Sequence, residues 1–405
     1  MSEVASALRL AHAPALAALV RRFGDLDQAE DALQAAVSRA LERWPTAGVP
    51  DVPAAWLVRT AGNLVIDDYR RQQLHRRYLA DAPRPEHQAC EDEAVGLRDD
   101  MLRLLFVCCH PVLSMEARVA LTLKAVAGLS VEEIAGAFLV EPRTLEQRLV
   151  RAKRRIRERG VSYAVPSARE QCERLGAVLA VLHLVFNEGY SASSDAPLIR
   201  RELCHLAIGQ TRLLLRLFPT DAETEGLLSL FLSSVARMPA RLRDGEPVPL
   251  DAQDRTRWDA SQITEALALL ETALRRGRPG PYQLQAAISA VHCRASQYAD
   301  TDWAEIVRLY DAWLGIAPSH VVSLNRAVAV SRLQGAQAGL DALRALGQPE
   351  ALTRRHAYHT VEGTLLAELG RDADAVTAFE RALARTRNPT EQRYLRGRID
   401  TLKKS

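Results

Sequence analysis

The sequence predicts an all-α protein, and three observations carry that prediction. The 405-residue chain is rich in Ala, Leu and Arg, all good helix formers. Its apolar residues recur at the three- and four-residue spacing of amphipathic helices. Alternating Val/Ile/Thr runs of the kind that build half-buried strands are scarce. At 48% apolar and 25% charged residues, the composition is that of an ordinary globular chain long enough for about two to four domains.

Charge and cysteine content narrow the function classes. A net charge of only +3 excludes a uniformly basic nucleic-acid coat, so any contact with DNA must come from local patches. No basic start followed by an apolar core is visible, and no run approaches 18 uncharged apolar residues. Neither secretion nor a membrane partner is expected. The six cysteines (Cys90, Cys108, Cys109, Cys172, Cys204 and Cys293) show no CxxC spacing. Cys108-Cys109-His110 lacks the second ligand pair that a tetrahedral zinc site needs. They read as small buried hydrophobes of a reducing cytoplasm.

Residues 1–80 read as helices. Ala15 to Phe23 is apolar at helical spacing and is broken by Gly24. Asp27 and Glu30 have capping-type spacing for a second helix. Its core stripe of Ala29, Leu33, Ala36, Val37, Ala40 and Leu41 runs on to Trp44-Pro45, while Asp25, Asp27, Glu30, Asp31 and Gln34 lie opposite. After a Pro/Gly loop from Pro45 to Pro53 comes a third helix, Ala54 to Arg71. Trp56, Leu57, Ala61, Leu64 and Val65 form its apolar side, and Arg59, Asn63, Asp67, Arg70 and Arg71 its polar side. Residues 81–100, with Pro83, Pro85, Glu86, Glu91, Asp92, Glu93, Asp99 and Asp100, lose the periodicity and read as an acidic, semi-extended linker.

Residues 101–127 supply two apolar helices split at His110-Pro111. Leu129 to Arg159 then carries the strongest local signal. Ser130 and Glu133 have capping-box spacing, which starts a short helix at Val131 with Ile134, Ala135 and Phe138 on one face. A break at Leu139 to Glu141 follows, and Pro142 suits the first position of a second helix. That helix repeats Leu145, Leu149, Ala152 and Ile156 on its apolar face and carries Arg143, Arg148, Arg151, Lys153, Arg154, Arg155 and Arg157 elsewhere. Two short helices, a tight break and a basic second helix make a helix-turn-helix, which lays its second helix in the DNA major groove.

Three separately spaced strings carry a resemblance: DLDQAEDALQAAVSRALERWP, AAWLVRTAGNLVIDDYRRQ and, beyond the acidic linker, the helix-turn-helix ending in RLVRAKRRIRE. Over about residues 10–160 the chain resembles a bacterial sigma factor of the extracytoplasmic-function type. The first two strings resemble region 2 of the sigma-70 family and the last resembles region 4. The domains expected are therefore 1–80 (region 2), 81–100 (linker), 101–160 (region 4) and 161–405 (a helical extension).

In that extension, Cys172 to Phe186 reads as a helix stopping at Asn187-Glu188-Gly189-Tyr190, with Gly189 suited to a left-handed cap. Those four residues are read equally as a docking elbow or as a helix terminus with a buried tyrosine. Ile199 to Phe218, Glu223 to Met238 and Ile263 to Arg275 are further helices, and Arg237 to Asp254 is a break. From about residue 290 the chain looks repetitive. Tyr310, Trp313 and Pro318, and LLAELGRDADAVTAFERAL with Gly370, Ala375, Phe379 and Ala382, resemble tetratricopeptide repeats. Gly335 and Gly370 stand 35 residues apart, near the ~34-residue period of such repeats, and stacked units of this kind form a solenoid with a concave binding surface. With FNEGYSASSD following region 4, the whole resembles the sigma-factor group with a tetratricopeptide-like extension. The resemblance implies regulation by the chain's own tail rather than by a membrane anti-sigma protein.

The resemblance also assigns roles. Asp25, Asp27, Glu30, Asp31 and Gln34 would dock the basic clamp helices of core RNA polymerase, with charge complementarity aiding orientation and on-rate. For the promoter −10 element, Arg59, Asn63, Arg70 and Arg71 would form a cationic track. The Pro45 to Pro53 loop has no aromatic residue, so hydrogen bonding rather than stacking would hold a flipped base there. Trp56 is either a melting wedge or, the favoured reading given Leu57, Ala61 and Leu64 nearby, a core anchor. For the −35 element, Arg143, Thr144, Gln147 and Arg148 would read base edges, as arginine pairs naturally with guanine and glutamine with adenine. Arg151, Lys153, Arg154 and Arg155 would hold phosphates. Glu146 departs from the family pattern; it would read a cytosine amine or blunt non-specific binding. His183, His205, His292, His356 and His359 form no ligand spacing, so no cofactor or enzyme activity is expected. Partners would be core polymerase, promoter DNA and a protein or peptide on the extension. The competing reading is a helix-turn-helix regulator whose solenoid senses a ligand or peptide.

Overall fold

The computed structural model describes all residues except 1–2, 78–92, 139, 162, 164–167, 191–199, 244–245, 348, 387 and 405, and the side chains of 67–77, 93–99, 136–138, 168, 172, 246–247 and 351 also fall outside the description. The chain divides into two compact units, Met1–Glu188 and Gly189–Ser405.

The first unit is built around α1 (Glu3–Phe23), which packs on α2 (Leu26–Ala47), α3 (Pro53–Arg77) and α4 (Glu93–Cys108). Ala11, Ala13 and the run from Ala15 to Val20 are buried. Such a helix is by length and composition apolar enough to cross a membrane, whereas the sequence reading expected no such run; here its apolar residues form a core. At Gly24, where φ is +69°, the chain turns. The α2 cap is Asp25, not the expected Asp27: its extended backbone lets the carboxylate accept the Gln28 N–H at 2.9 Å, satisfying a free helix donor. Asp27 and Glu30 are thereby left for other partners. Helix α2 also runs past Pro45 to Ala47. A proline in the last turn forfeits only one backbone bond, and the expected Pro45 to Pro53 loop shortens to residues 48–52. Trp44 (buried) and Trp56 (half-buried) meet edge to face at 5.4 Å and 68°, fastening α2 to α3.

Helix α4 begins at Glu93, inside the stretch expected to be linker. The side chain of Asp100 is fully buried and meets Arg21 and Arg103 at 3.4 Å each. An acidic residue that looks solvated in sequence is here a buried ion-pair partner, so composition misled. Residues 78–92, the rest of the expected linker, lie outside the described residues. Next come α5 (Met115–Ala125), capped by Ser114, then α6 (Val131–Phe138) and α7 (Pro142–Glu158). The Ser130/Glu133 capping box is present in both directions: the Ser130 N–H donates to Glu133 at 2.8 Å and the Glu133 N–H to the Ser130 hydroxyl at 3.1 Å. Pro142 opens α7, and Leu145, Leu149, Ala152 and Ile156 are buried as the periodicity requires.

Helix α8 spans Ala168–Tyr190 and does not stop at Asn187. Gly189 is not a left-handed cap. A Cβ there would lie 2.7 Å from the Leu203 Cβ and 2.9 Å from the Arg200 carbonyl, so glycine lets the chain before α9 pass at contact distance.

The second unit continues with α9 (Arg201–Leu217), α10 (Ala222–Ala236) and α11 (Met238–Arg241). A short antiparallel ribbon follows, β1 (Leu242–Arg243) with β2 (Glu246–Pro247), and then α12 (Ala260–Arg275), α13 (Pro281–Arg294) and α14 (Trp303–Ile316). Helix α10 is central: α9, α12 and α13 all pack on it. Its buried Glu225 takes two bonds from Arg276, at 2.7 and 2.9 Å. Glu223 accepts the Tyr282 and Gln283 N–H groups at the start of α13, at 3.1 and 3.2 Å. Beyond lie α15 (His320–Gln334), α16 (Ala336–Arg344), α17 (Glu350–Thr353), α18 (His356–Glu368), α19 (Asp372–Leu383) and α20 (Pro389–Lys404). Two glycines with positive φ stand between helices here: Gly335 (φ +95°) between α15 and α16, and Gly370 (φ +69°) between α18 and α19. Leu340, Leu343, Leu352, Leu365, Phe379 and Leu395 share one core.

Candidate nucleic-acid interface

Helix α7 is seated through Leu145, Leu149, Ala152 and Ile156, and this apolar seat fixes which residues face outward. Arg143, Thr144, Gln147, Arg151, Arg154 and Arg155 are exposed, and Arg148 is half-buried. The Arg151 side chain donates to the Gln147 carbonyl at 3.1 Å, and Arg154 stands 3.4 Å from Glu158. Arg148, Arg151 and Arg155 together line a hollow of about 330 Å³ against Ser114, Glu116 and Ala117 at the start of α5. Three guanidinium groups against one carboxylate, Glu116, which feels Arg148, give this hollow a net positive lining. The sequence placed these arginines on one helix; the hollow they share with α5 depends on tertiary packing.

On α3, Arg59 and Asn63 are exposed while Trp56 is half-buried against Trp44. Arg70 and Arg71 lie on the helix, but their side chains fall outside the described residues, as do those of Asp67 and Phe138.

The acidic edge of α2 divides. Asp31 and Gln34 are exposed, and Asp25 is engaged as the cap. Asp27 and Glu30 are bound by α7. The Lys153 ammonium lies 2.6 Å from Asp27 and 2.9 Å from Glu30, and Arg157 donates to Asp27 at 2.9 Å. Burial works against the Lys153 charge, but the hydrogen bonds to Asp27 and Glu30 prevail and hold its pKa above the ordinary lysine value. In this structure Lys153 therefore grips α2 rather than standing free for a phosphate. Tyr163 joins the same cluster: its hydroxyl meets the Leu26 backbone, and burial together with the nearby Asp25 pushes its pKa to about 12. No local sequence signal marks this cluster, because its members come from segments more than a hundred residues apart.

In the second unit a groove of about 450 Å³ lies among α13, α14, α15, α18 and α20, lined by residues that include Trp303, Tyr310, Asn325, Arg332, Glu368 and Arg398. Arg332 pairs with Glu368 at 3.0 Å. Arg398 lies over the Phe379 ring at 5.2 Å and donates to the Tyr394 hydroxyl at 3.1 Å. His292, at the groove edge, meets Trp303 edge to face, and burial lowers its pKa to about 4. His359 bonds the Thr353 carbonyl and His356 faces Glu391. Among the described residues no group of three or more His, Cys, Asp or Glu could hold a metal ion. Cys108, Cys109 and Cys204 are buried thiols and Cys293 is half-buried; Cys90 and the Cys172 side chain lie outside the described residues.

Comparison with known proteins adds three family matches along the chain. Residues 8–75 match sigma-70 region 2, and residues 103–156 match sigma-70, region 4. Residues 174–274 match a family of unknown function, DUF6596. A protein of Rhizobium meliloti described as uncharacterized is 45% identical over 403 residues, covering 98% of this chain and 95% of the relative.

Proposed function

We infer, from a chain that belongs to the sigma-70 family of RNA polymerase sigma factors in its extracytoplasmic-function form with a C-terminal extension, a grip on promoter DNA at two places. Helices α1–α3 carry region 2 and α4–α7 carry region 4. Bond making belongs to the polymerase; this chain supplies binding surfaces, working in the cytoplasm beside the enzyme.

The observation that carries the reading is α7 itself. A fully seated apolar face leaves Arg143, Thr144 and Gln147 exposed on its first turns, where a recognition helix meets base edges. In this reading they and Arg148 discriminate the −35 element, while Arg151, Arg154 and Arg155 hold flanking phosphates. Arg59, Asn63, Arg70 and Arg71 track the opened −10 strand, with Trp56 beside them. Asp25, Asp27, Glu30, Asp31 and Gln34 face core polymerase. The extension governs the factor, and its groove, with aromatic walls beside Asn325 and Arg398, suits an extended peptide segment of a regulatory partner: aromatic rings supply area, while amide and guanidinium groups fix a backbone or carboxylate. Titration of the full chain with purified core polymerase in the absence of DNA tests the assignment. Saturable tight binding is expected, and its absence refutes the assignment.

A further inference from the structure

The groove of the second unit carries opposite charges at its two ends. Its lining passes in packing order from α13 through α14, α15 and α18 to α20. Asp251, in the turn Leu250–Ala252, stands at the α13 end. Burial raises the pKa of the neighbouring Tyr298 hydroxyl, and Arg332, Asp251 and Glu368 all act on it electrostatically. Asp251 is exposed, and no cation among the described residues pairs with it. Arg398 stands at the α20 end. It lies over the Phe379 ring and donates to the Tyr394 hydroxyl, but no carboxylate among the described residues meets it.

Between these ends the groove is neutral and aromatic. Arg332 and Glu368 cancel each other at 3.0 Å. Trp303 meets Tyr298 edge to face at 5.6 Å and His292 at 5.4 Å, and Tyr310 stacks on Trp313. The rings are thus held in place before any occupant arrives, which lowers the ordering cost of binding. Asn325 is exposed and has no hydrogen-bond partner among the described residues. Its amide both donates and accepts, as a peptide unit does in return. His292 is only 9% exposed, and its Nδ1 has no partner either. A buried polar atom left unpaired at a cavity wall favours an occupant that brings a polar group.

We propose that this groove selects its peptide by charge polarity: Asp251 takes a basic side chain at the α13 end, Arg398 takes an acidic side chain at the α20 end, and an apolar side chain lies between them against Trp303 and Tyr310. The inference rests on the peptide reading of the groove and adds the residues that decide which peptide fits. Two rim charges of opposite sign reject as well as accept. A peptide of uniform charge meets repulsion at one end whichever way it lies, whereas a bipolar one satisfies both. Arg398 keeps guanidinium donors beyond the one given to Tyr394, so a carboxylate can be held without breaking that bond. Charges at a rim contribute to discrimination more than to affinity, and the aromatic wall supplies the buried area.

The test pans a random peptide library against the full-length chain and against its Asp251→Lys and Arg398→Glu variants. The wild type should enrich peptides with one basic and one acidic side chain at a fixed spacing around an apolar residue. Asp251→Lys should exchange the basic position for an acidic one, and Arg398→Glu the acidic position for a basic one. Arg398 also packs on Phe379, so thermal denaturation checks that variant; if it is unfolded, Asp251→Lys, at an exposed turn, decides alone. Fluorescence anisotropy with a selected peptide should show Asp251→Asn binding about two- to fivefold more weakly, the scale of an exposed ion pair. A wild-type chain that enriches no peptide overturns the peptide reading and the charge selection together. Enrichment without the paired charges, or a pattern unmoved by Asp251→Lys, overturns the charge selection alone.

Discussion

Replacing Trp56 separates two roles that the sequence left open. Its ring meets the buried Trp44 edge to face at 5.4 Å, in the seam between α2 and α3. Truncating a fully buried tryptophan costs about 3–5 kcal/mol, and an aromatic pair adds about 0.5–1.5 kcal/mol of its own. Trp56 is only half-buried, so Trp56→Ala should cost roughly 2–3 kcal/mol, and Trp56→Phe, which keeps a ring in the seam, about 1 kcal/mol. Native-state hydrogen exchange reads this locally, as lost protection of α2 and α3 amides. In parallel, a fluorescent base analogue in the −10 element reports strand opening by the polymerase complex. The anchor role predicts that Trp56→Phe opens DNA nearly as well as the wild type and that opening by Trp56→Ala recovers on cooling, as stability does. Refutation would be a Trp56→Ala protein with exchange protection unchanged to within about 0.5 kcal/mol, the range of a neutral surface substitution, yet unable to open DNA. That pattern belongs to a wedge.

Further predictions concern α7, its preceding helix and the half-buried His12 of α1. Gln147→Ala should weaken promoter binding by about 1–3 kcal/mol on sites with the matching −35 base and little elsewhere; equal loss on random DNA counts against base reading. Arg151→Ala should weaken binding to every sequence and reduce the salt slope by about one, and a sequence-selective loss would reverse the two roles. Ser130→Ala removes one half of the capping box and should cost about 1 kcal/mol, seen in thermal denaturation; no change would mean the cap contributes nothing in solution. His12 is held neutral, its pKa lowered by burial and then by Lys124 to about 4. As pH falls from 6.5 the unfolded chain takes up this proton before the folded one does. The contribution is complete above pH 6.5 and lost progressively toward pH 4, by about 2 kcal/mol at pH 5. Denaturant midpoints of the wild type and His12→Gln at pH 7 and pH 5 should therefore differ in their pH dependence; parallel curves would refute it.

Periodicity served the sequence reading well wherever local chemistry decides the structure. The α7 seat, the Ser130/Glu133 capping box and Pro142 at the helix start are local features, and each stands where the spacing put it. The misses were tertiary. Asp100 looked like part of a solvated acidic stretch, yet Arg21 and Arg103 let it be buried in α4. Gly189 looked like a left-handed cap, yet what it provides is room for Leu203. Asp27 and Glu30 looked solvent-facing because the partners that hold them, Lys153 and Arg157, are distant in sequence. No pattern of neighbouring residues encodes such a pairing. For the same reason the arginine hollow beside α5 could not be read from α7 alone.

The most direct measurement is run-off transcription with purified core polymerase on genomic promoter fragments, with and without the full-length chain. The account predicts transcripts from discrete start sites only when the chain is present, and DNA occupancy by the chain only together with polymerase. A chain that occupies operators unaided and supports no initiation would contradict it.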